Sequence, residues 1–376
     1  MINRYIVPVM NDIWSDKNRF MKYSVFHHAY LQSILGRSVI LEELDPDLEM
    51  IAYFEKQTKH ELQASLLEFE TRIDSEDDAA KASIHKYLTS SDVIDTVLSH
   101  TIKEAATLLH AKINNCLSSL TKLIENTENV STIGRTHGRH ATPMSLDSRF
   151  KREWQDLLIF SNDMLEQASN IPGKIAGTIG EYQASEKTIE DVNSYFNLSH
   201  YVSPGYTSQA LSRAYHAKLT FNLALLGSLV ERLVTNIRLL SFNEINELSE
   251  AFTRNQAGSS SMPHKKNPIG CENLVGIARL LRSYVTPSLE NVPLWLERDM
   301  SHSSVERVIL PDAFNLAYYM FTRLEEILNG LIINTNQIDK NLTNYFKIGN
   351  SHEEISNTNL PRSQAYTVIQ DKYLGT

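Results

Sequence analysis

One short segment gathers most of the reactive side chains of this sequence: Gly258-Ser-Ser-Ser-Met-Pro-His-Lys-Lys-Asn-Pro-Ile-Gly270. It lies between two helical patterns and reads as a loop. Gly258 permits unusual backbone angles, while Pro263 and Pro268 fix others. Hydroxyls stand beside Lys265, Lys266 and Asn267 in a short span, which is what stabilising a carboxylate-derived anion requires. The plain alternatives are a flexible linker or a basic surface patch. A linker has no need of two prolines and a methionine among its serines, and two lysines are too few for a nucleic-acid patch.

Two other stretches carry polar groups at suggestive spacing. Thr89-Ser-Ser-Asp92 reads as a capping box opening a helix. The same geometry leaves free N–H groups that bind anions, so the structural and functional readings coexist. Gly134-Arg-Thr-His-Gly-Arg-His-Ala-Thr-Pro143 contains His137 and His140, spaced like a weak metal pair. No convincing carboxylate or cysteine partner accompanies them, and a structural histidine is the stronger alternative.

The elements that must position these groups are helical. Glycine and proline are scarce, with 14 and 11 in 376 residues, and alternating strand patterns are almost absent. Leu219, Leu223, Leu226, Val230, Leu233, Ile237 and Leu240 step alternately by four and three, an a/d seam widened by Leu225 and Leu229. A helix from about Val97 to Ile124 repeats the idea with Leu98, Ile102, Ala105, Leu109, Ile113, Cys116 and Leu120. Another follows the 258–270 loop, with Leu274, Ile277, Leu281 and Tyr284 on one stripe. Helices this long, with stripes this wide, predict an all-α bundle, monomeric or oligomeric. Breakers divide the chain into shorter helices over 1–91, with an acidic loop at Asp74–Asp78, a central bundle over 92–338 and a polar remainder over 339–376.

Composition sets the limits. The chain is 42% hydrophobic and 22% charged, long enough to bury a large core. A net charge of −9 argues against nucleic acid as the main partner, without forbidding an anionic small molecule. Cys116 and Cys271 stand in unrelated contexts, which excludes a zinc ribbon or disulfide framework. No apolar run predicts a signal peptide or membrane span, so a reduced, cytoplasmic protein is expected.

Gly-Ser-Ser-Ser-Met-Pro-His-Lys-Lys-Asn-Pro resembles a signature of the fumarase/aspartase superfamily, whose members eliminate fumarate from succinyl compounds. His85-Lys-Tyr-Leu-Thr-Ser-Ser-Asp92 and Gly134–Pro143 resemble two further superfamily blocks in the same order. Outside them, Arg4-Tyr5 with Ile13-Trp14, and Asn291-Val-Pro-Leu-Trp-Leu-Glu-Arg-Asp-Met-Ser-His-Ser-Ser-Val-Glu-Arg307 continuing to Leu310-Pro-Asp312, resemble the adenylosuccinate lyase family. The likeness runs from the first residues to about 340 and implies a three-domain all-α fold with a long central bundle. It implies a homotetramer with shared active sites, a nucleotide substrate, and neither metal nor organic cofactor.

Eliminating an amine from a succinyl group needs a base for the Cβ proton, an acid for the leaving nitrogen and stabilisation of a doubly negative intermediate. By resemblance Ser259 is the base, activated by its loop and Lys265, while Lys265 and Asn267 hold the developing aci-carboxylate. His137 matches the general acid, a role suited to a pKa near neutrality. His60 and His85 match two further active-site histidines, and Glu272 a glutamate that pairs with one of them. Thr89 and Ser90 match succinyl-carboxylate contacts, Thr136 and Gln209 substrate contacts, and Arg4, Tyr5, Arg298, Ser303 and Arg307 phosphate-binding positions; Ser212-Arg213 agree with some members. Each alone could be a surface residue, and their joint arrival in family order weakens that explanation.

Some positions depart from the family pattern. Lys59-His60-Glu61 keeps the charges of an Arg-His-Asp but loses the arginine fork. Tyr87 stands where a glycine is usual, and the stretch from Asp339 to Thr376 reads as a short or truncated third domain. The favoured expectation is cleavage of adenylosuccinate to AMP and fumarate, with the related succinylated imidazole ribotide as a second substrate. The alternatives are a lyase or cycloisomerase acting on another succinyl-amine or dicarboxylate, and a non-catalytic helical scaffold.

Overall fold

The computed structural model describes residues 2–43, 45–252, 261–262, 264–348 and 351–374. A 3-10 turn at Asn3–Tyr5 leads into α1 (Pro8–Ile13), α2 (Asp16–Leu35), α3 (Leu48–Thr58), α4 (Glu61–Thr71), α5 (Asp78–Lys81) and the long α6 (Ser90–Thr127). A hairpin of β1 (Ser131–Thr136) and β2 (Arg139–Ser145) precedes α7 (Asp147–Ser169), α8 (Glu186–Phe196) and α9 (Ala214–Leu240). Then follow β3 (Leu248–Ser249), α10 (Ile269–Ser283), α11 (Val285–Glu290), α12 (Ser301–Asn329) and β4 (Ile332–Ile333). The chain continues through α13 (Thr335–Ile348), α14 (Ser351–Ser356) and α15 (Arg362–Leu374), so the polar remainder beyond 339 is helical. The predicted all-α class holds, and the strands are small additions to it.

Helix periodicity decided what is buried. On α9 every a/d position from Leu219 to Leu240 is buried; of the two residues expected to widen the seam Leu229 joins them, while Leu225 is half-buried. On α6 the stripe from Ile102 through Ala105, Leu109, Ile113 and Cys116 to Leu120 is wholly inaccessible, while Leu98 at its start is half-buried. The α9 seam is thus consumed within one chain, and the seam by itself gives no reason for a second copy.

Residues 1–113, 159–228 and 277–322 form one compact unit, and 114–158, 229–276 and 323–376 another. In the first, Phe20, Tyr23, Phe26 and Tyr30 of α2 pack with Ile51, Leu62, Val93, Val97, Val192 and Phe196. Large aromatic side chains spaced three and four apart make α2 the spine of that core. Its ends are set locally: Ser15 accepts a hydrogen bond from the Asn18 amide at 3.2 Å, and Gly36 closes the helix at φ 64°. Lys59 ends α3 in the left-handed region (φ 53°), and His60 opens α4 as its cap.

In the second unit the β1–β2 hairpin turns through His137 (φ 53°) and Gly138 (φ 73°). Two consecutive residues with positive φ make the type I′ geometry that matches strand twist, and histidine is among the few non-glycine residues that enter it readily. The register shifts between Ile133 and Arg135, and a Cβ on Gly134 would lie 2.8 Å from the Thr142 carbonyl oxygen. The extra residue lies on β2, where Ala141 and Thr142 face the single Gly134, and this bulge sets the register that ends in a two-residue tip.

Close backbone approach also governs the first unit. Gly180 (φ 87°) lies so near the 205–208 turn that a Cβ would stand 2.0 Å from the Thr207 carbonyl oxygen, and its own carbonyl accepts from the Gly205 amide at 2.8 Å. Gly180→Ala is expected to lose about 2 kcal/mol or more in urea unfolding, from combined left-handed strain and overlap. An unchanged midpoint would refute this packing.

Candidate functional site

In the first unit the start of α6 is organised by Asp92, which is fully buried. Its carboxylate accepts from the Thr89 amide (2.8 Å), the Ala176 amide (2.8 Å), the Gly177 amide and the Lys174 ammonium, itself fully buried. The capping box is thus half realised: Asp92 reaches back to Thr89, while the Asp92 amide bonds the Thr89 carbonyl rather than its hydroxyl. The larger effect is to pin residues 174–177 against the helix start, leaving Thr89 and Ser90 at its edge.

Beside it three expected site residues converge. The Arg298 guanidinium donates to Ser90 Oγ at 3.1 Å and to Gln209 Oε1 at 2.5 Å. Gln209 is held in turn: its side-chain amide donates to the Thr178 carbonyl (2.7 Å) and its backbone amide to the Glu297 carbonyl (3.1 Å). Burial, opposed by Asp95 and reinforced by Arg213, lowers the Arg298 pKa, and its Nε is buried without a partner among the described residues. A partly desolvated cation with an unused donor is suited to an anionic group.

Arg307, one of the phosphate candidates, is 56% exposed and pairs with Glu61 at 2.6 Å. Glu61 also takes Arg19 at 3.0 Å and the Tyr23 hydroxyl at 3.4 Å. Arg4 is exposed on the 3-10 turn, and Tyr5 packs edge-on against Tyr319, with centroids 5.1 Å apart. Ser303 lies half-buried in the first turn of α12, its amide bonded to the Met300 carbonyl at 3.1 Å.

His60 and His85 sit close enough for their charges to oppose one another. His60 is exposed, and its Nδ1 accepts from the Gln63 amide at 3.2 Å, which leaves Nε2 to carry the proton when the ring is neutral. His85 occupies a left-handed position (φ 57°), and burial pulls its pKa down against the attraction of Asp92. Its ring nitrogen meets His27 at 3.1 Å, a partner that the sequence reading missed. A histidine inside the apolar face of α2 was the available signal, since an enclosed polar ring needs a partner. The glycine usual two residues beyond His85 has a simple cause: Tyr87 also adopts positive φ (65°), tolerated here while its ring stacks on Tyr182 with centroids 5.5 Å apart.

Arg213 belongs to a different arrangement. It is 2% exposed and spans Asp95 (2.9 Å), Glu306 (2.9 and 3.2 Å) and the Leu211 carbonyl (2.8 Å). Two carboxylates share one guanidinium. Burial raises both, but Arg213 outweighs this at Asp95, lowering its pKa, whereas Glu306 is pushed up to about 7. His216 and His302 border the network, and burial holds them down to about 3 and about 4. Arg213 is thus a buried strut for α6, α9 and α12.

In the second unit Thr136 and His137 are exposed at the tip of the hairpin. Its base is locked by Glu247, fully buried, which accepts from Arg135 (2.6 and 3.1 Å), Thr132 (3.1 Å) and Asn341 (2.9 Å). His140 is exposed, its ring edge-on to Tyr345 with centroids 6.1 Å apart, and the Tyr345 hydroxyl donates to the Ala141 carbonyl at 2.8 Å. Lys265 is exposed and Asn267 half-buried in the turn leading to α10. Glu250 holds the start of α10, accepting from the amides of Gly270 (3.1 Å) and Cys271 (2.6 Å). Glu272 is exposed in the first turn of α10, 3.6 Å from Arg238. Ser259, with Gly258 and Ser260, lies outside the described residues.

The fold resembles that of 3-carboxy-cis,cis-muconate lactonizing enzyme from Pseudomonas putida, with a TM-score of 0.83, 20% identity and coverage of 99% of this chain and 86% of that one. Fumarate lyase from Mesorhizobium sp. BNC1 gives 0.81 at 18% identity, covering 100% and 89%. These define the class as the fumarase/aspartase-like helical fold. A sequence profile described as Lyase matches residues 29–281. Adenylosuccinate lyases from Aquifex aeolicus (strain VF5) and Bacillus subtilis (strain 168) are each 33% identical, over 98% and 99% of this chain and 87% and 88% of their own. The chain belongs to the adenylosuccinate lyase family.

The Glu306 carboxyl gives a pH test of the buried network. With a folded pKa of about 7 against an ordinary 4.5, it binds more proton in the folded state across that window. Its stabilisation is present below the unfolded value and lost as pH rises through the folded one. Relative to Glu306→Gln, the wild type is expected to lose on the order of 2 kcal/mol in urea unfolding between about pH 5 and pH 7.5. Parallel pH dependences would contradict this.

Proposed function

We propose that the protein cleaves adenylosuccinate to AMP and fumarate, and the succinylated imidazole ribotide of purine synthesis in the same way. The observation that carries this reading is similarity along essentially the whole chain, at 33% identity, to enzymes named for that substrate. Ser259 removes the Cβ proton, the C–N bond breaks as the Cα–Cβ double bond forms, and His137 protonates the departing nitrogen. Lys265 and Asn267 stabilise the aci-carboxylate. Their neighbourhood supports these roles: the start of α10, which directly follows the turn, is held by Glu250, and His137 stands on a braced hairpin tip. His60, His85 and Glu272 complete the acid–base group, and Thr136 contacts substrate.

Thr89 and Ser90 bind the succinyl carboxylates at the α6 start, beside Arg298 and Gln209. Arg4, Tyr5, Arg298, Ser303 and Arg307 hold the 5′-phosphate. Arg307 keeps an exposed guanidinium face even while paired with Glu61, so a phosphate oxygen has donors left to meet. The enzyme works in the cytoplasm as a homotetramer with shared sites, and its three domains divide near 91 and 338. Exposed Phe221, Leu280, Leu289 and Val308 on α9 to α12 favour self-association, since such outward apolar residues gain by being covered.

Ser259→Ala and His137→Ala are each expected to lower kcat about 10²–10⁴-fold in an ultraviolet assay with adenylosuccinate, with unchanged circular dichroism. Losses under tenfold would remove the assigned roles. Arg307→Met is expected to raise KM for adenylosuccinate roughly ten- to a hundredfold and to leave turnover of the dephosphorylated succinyl-nucleoside nearly unaltered. Equal losses on both substrates would sink the phosphate clamp while sparing the elimination chemistry.

A further inference from the structure

We propose that His27 is a positioning residue that fixes the tautomer of His85, holding its proton on Nδ1 and presenting Nε2 to the site. The inference rests on the reading of His85 as an active-site histidine. It starts from what hydrogen-bond partners allow. His27 lies in α2 at 2% exposure, with Nδ1 2.8 Å from the carbonyl oxygen of Tyr23. A carbonyl only accepts, so His27 Nδ1 carries a hydrogen. Burial and the adjacent His85 ring keep His27 neutral, with its pKa down at about 3. Its Nε2 is therefore a bare lone pair.

His85 Nδ1 lies 3.1 Å from that lone pair, with ring centroids 5.4 Å apart. Two lone pairs at this distance would repel, so His85 Nδ1–H donates to His27 Nε2. A neutral imidazole in water favours the opposite tautomer, and His27 inverts that preference. Proton uptake by the pair falls on His85 Nε2, because Nδ1 is occupied and a second proton on His27 would create a cation out of reach of water. Asp92 attracts that charge, while His60 and the neutral His27 ring complete the groups facing His85. The backbone is fixed independently: Tyr30 donates to the Lys86 carbonyl at 2.8 Å. His27 thus sets which nitrogen works, and the turn sets where it stands.

Magic-angle-spinning nitrogen-15 spectra of histidine-labelled protein at about pH 8 test this, with His85→Gln used to assign the signal. The expected result is a protonated Nδ1 and an unprotonated Nε2 on His85. In His27→Leu the tautomer should revert towards Nε2–H, and kcat/KM should fall roughly 10–100-fold, as when other histidine-orienting partners are removed. His27→Gln, whose amide oxygen reaches the place of Nε2, should keep the tautomer and restore most of the activity. Wild-type His85 protonated on Nε2, or an unchanged tautomer in His27→Leu, overturns the proposal. If the leucine variant does not fold, the wild-type and glutamine spectra still decide. Wild-type protein with the expected spectrum but no turnover of adenylosuccinate would count against the lyase reading alone.

Discussion

A single buried carboxylate, Asp92, is the constraint on which the first unit's site depends. Enclosing it would be prohibitive without partners, and it has several: the Lys174 ammonium and the amides of Thr89, Ala176 and Gly177. Because these come from two segments far apart in sequence, satisfying one charge also welds the start of α6 to the 174–177 loop. That loop continues to Thr178 and Gly180, which hold Gln209 and the 205–207 turn. Ser90, Gln209 and Arg298 meet at one place as a consequence.

The second unit solves the same problem with Glu247. Here the enclosed carboxylate gathers Arg135, Thr132 and Asn341, and burial is outweighed by those donors, so its pKa is lowered. In each unit a polar group outside the proposed chemistry fixes backbone that carries groups proposed for it. Side chains such as Lys265 and His137 stay exposed near these braced segments. Rigid support beneath exposed reactive groups is what positioning requires.

Much of this was legible in the sequence where the signal was periodic. The stripes on α6 and α9 predicted the buried faces, because apolar spacing and burial are the same fact seen twice. The β1–β2 hairpin escaped because its strands are polar and threonine-rich, with Ile133 and Met144 almost alone in marking an apolar face. His137-Gly138 directly after the β-branched Thr136 was the sign of a tight turn. Buried partners such as Glu247 and Glu306 were invisible for another reason. Their roles depend on which distant residue lies opposite, and spacing along one helix carries no such information. Arg213 shows the converse: a residue matching some relatives' sites is wholly engaged by Asp95 and Glu306. The Ser259 role stands on resemblance, since that position lies outside the described residues.

The left-handed backbone at His137 makes this residue answer to two kinds of selection at once. Its imidazole is one reason to keep it, and its tolerance of positive φ is another. Residues branched at Cβ are penalised there whatever their chemistry, whereas asparagine or glycine would preserve the turn while removing the proton transfer proposed for this position. Divergent copies that had given up catalysis would therefore drift first towards asparagine or glycine at this position. Such a replacement would mark lost activity in a chain whose fold remained sound.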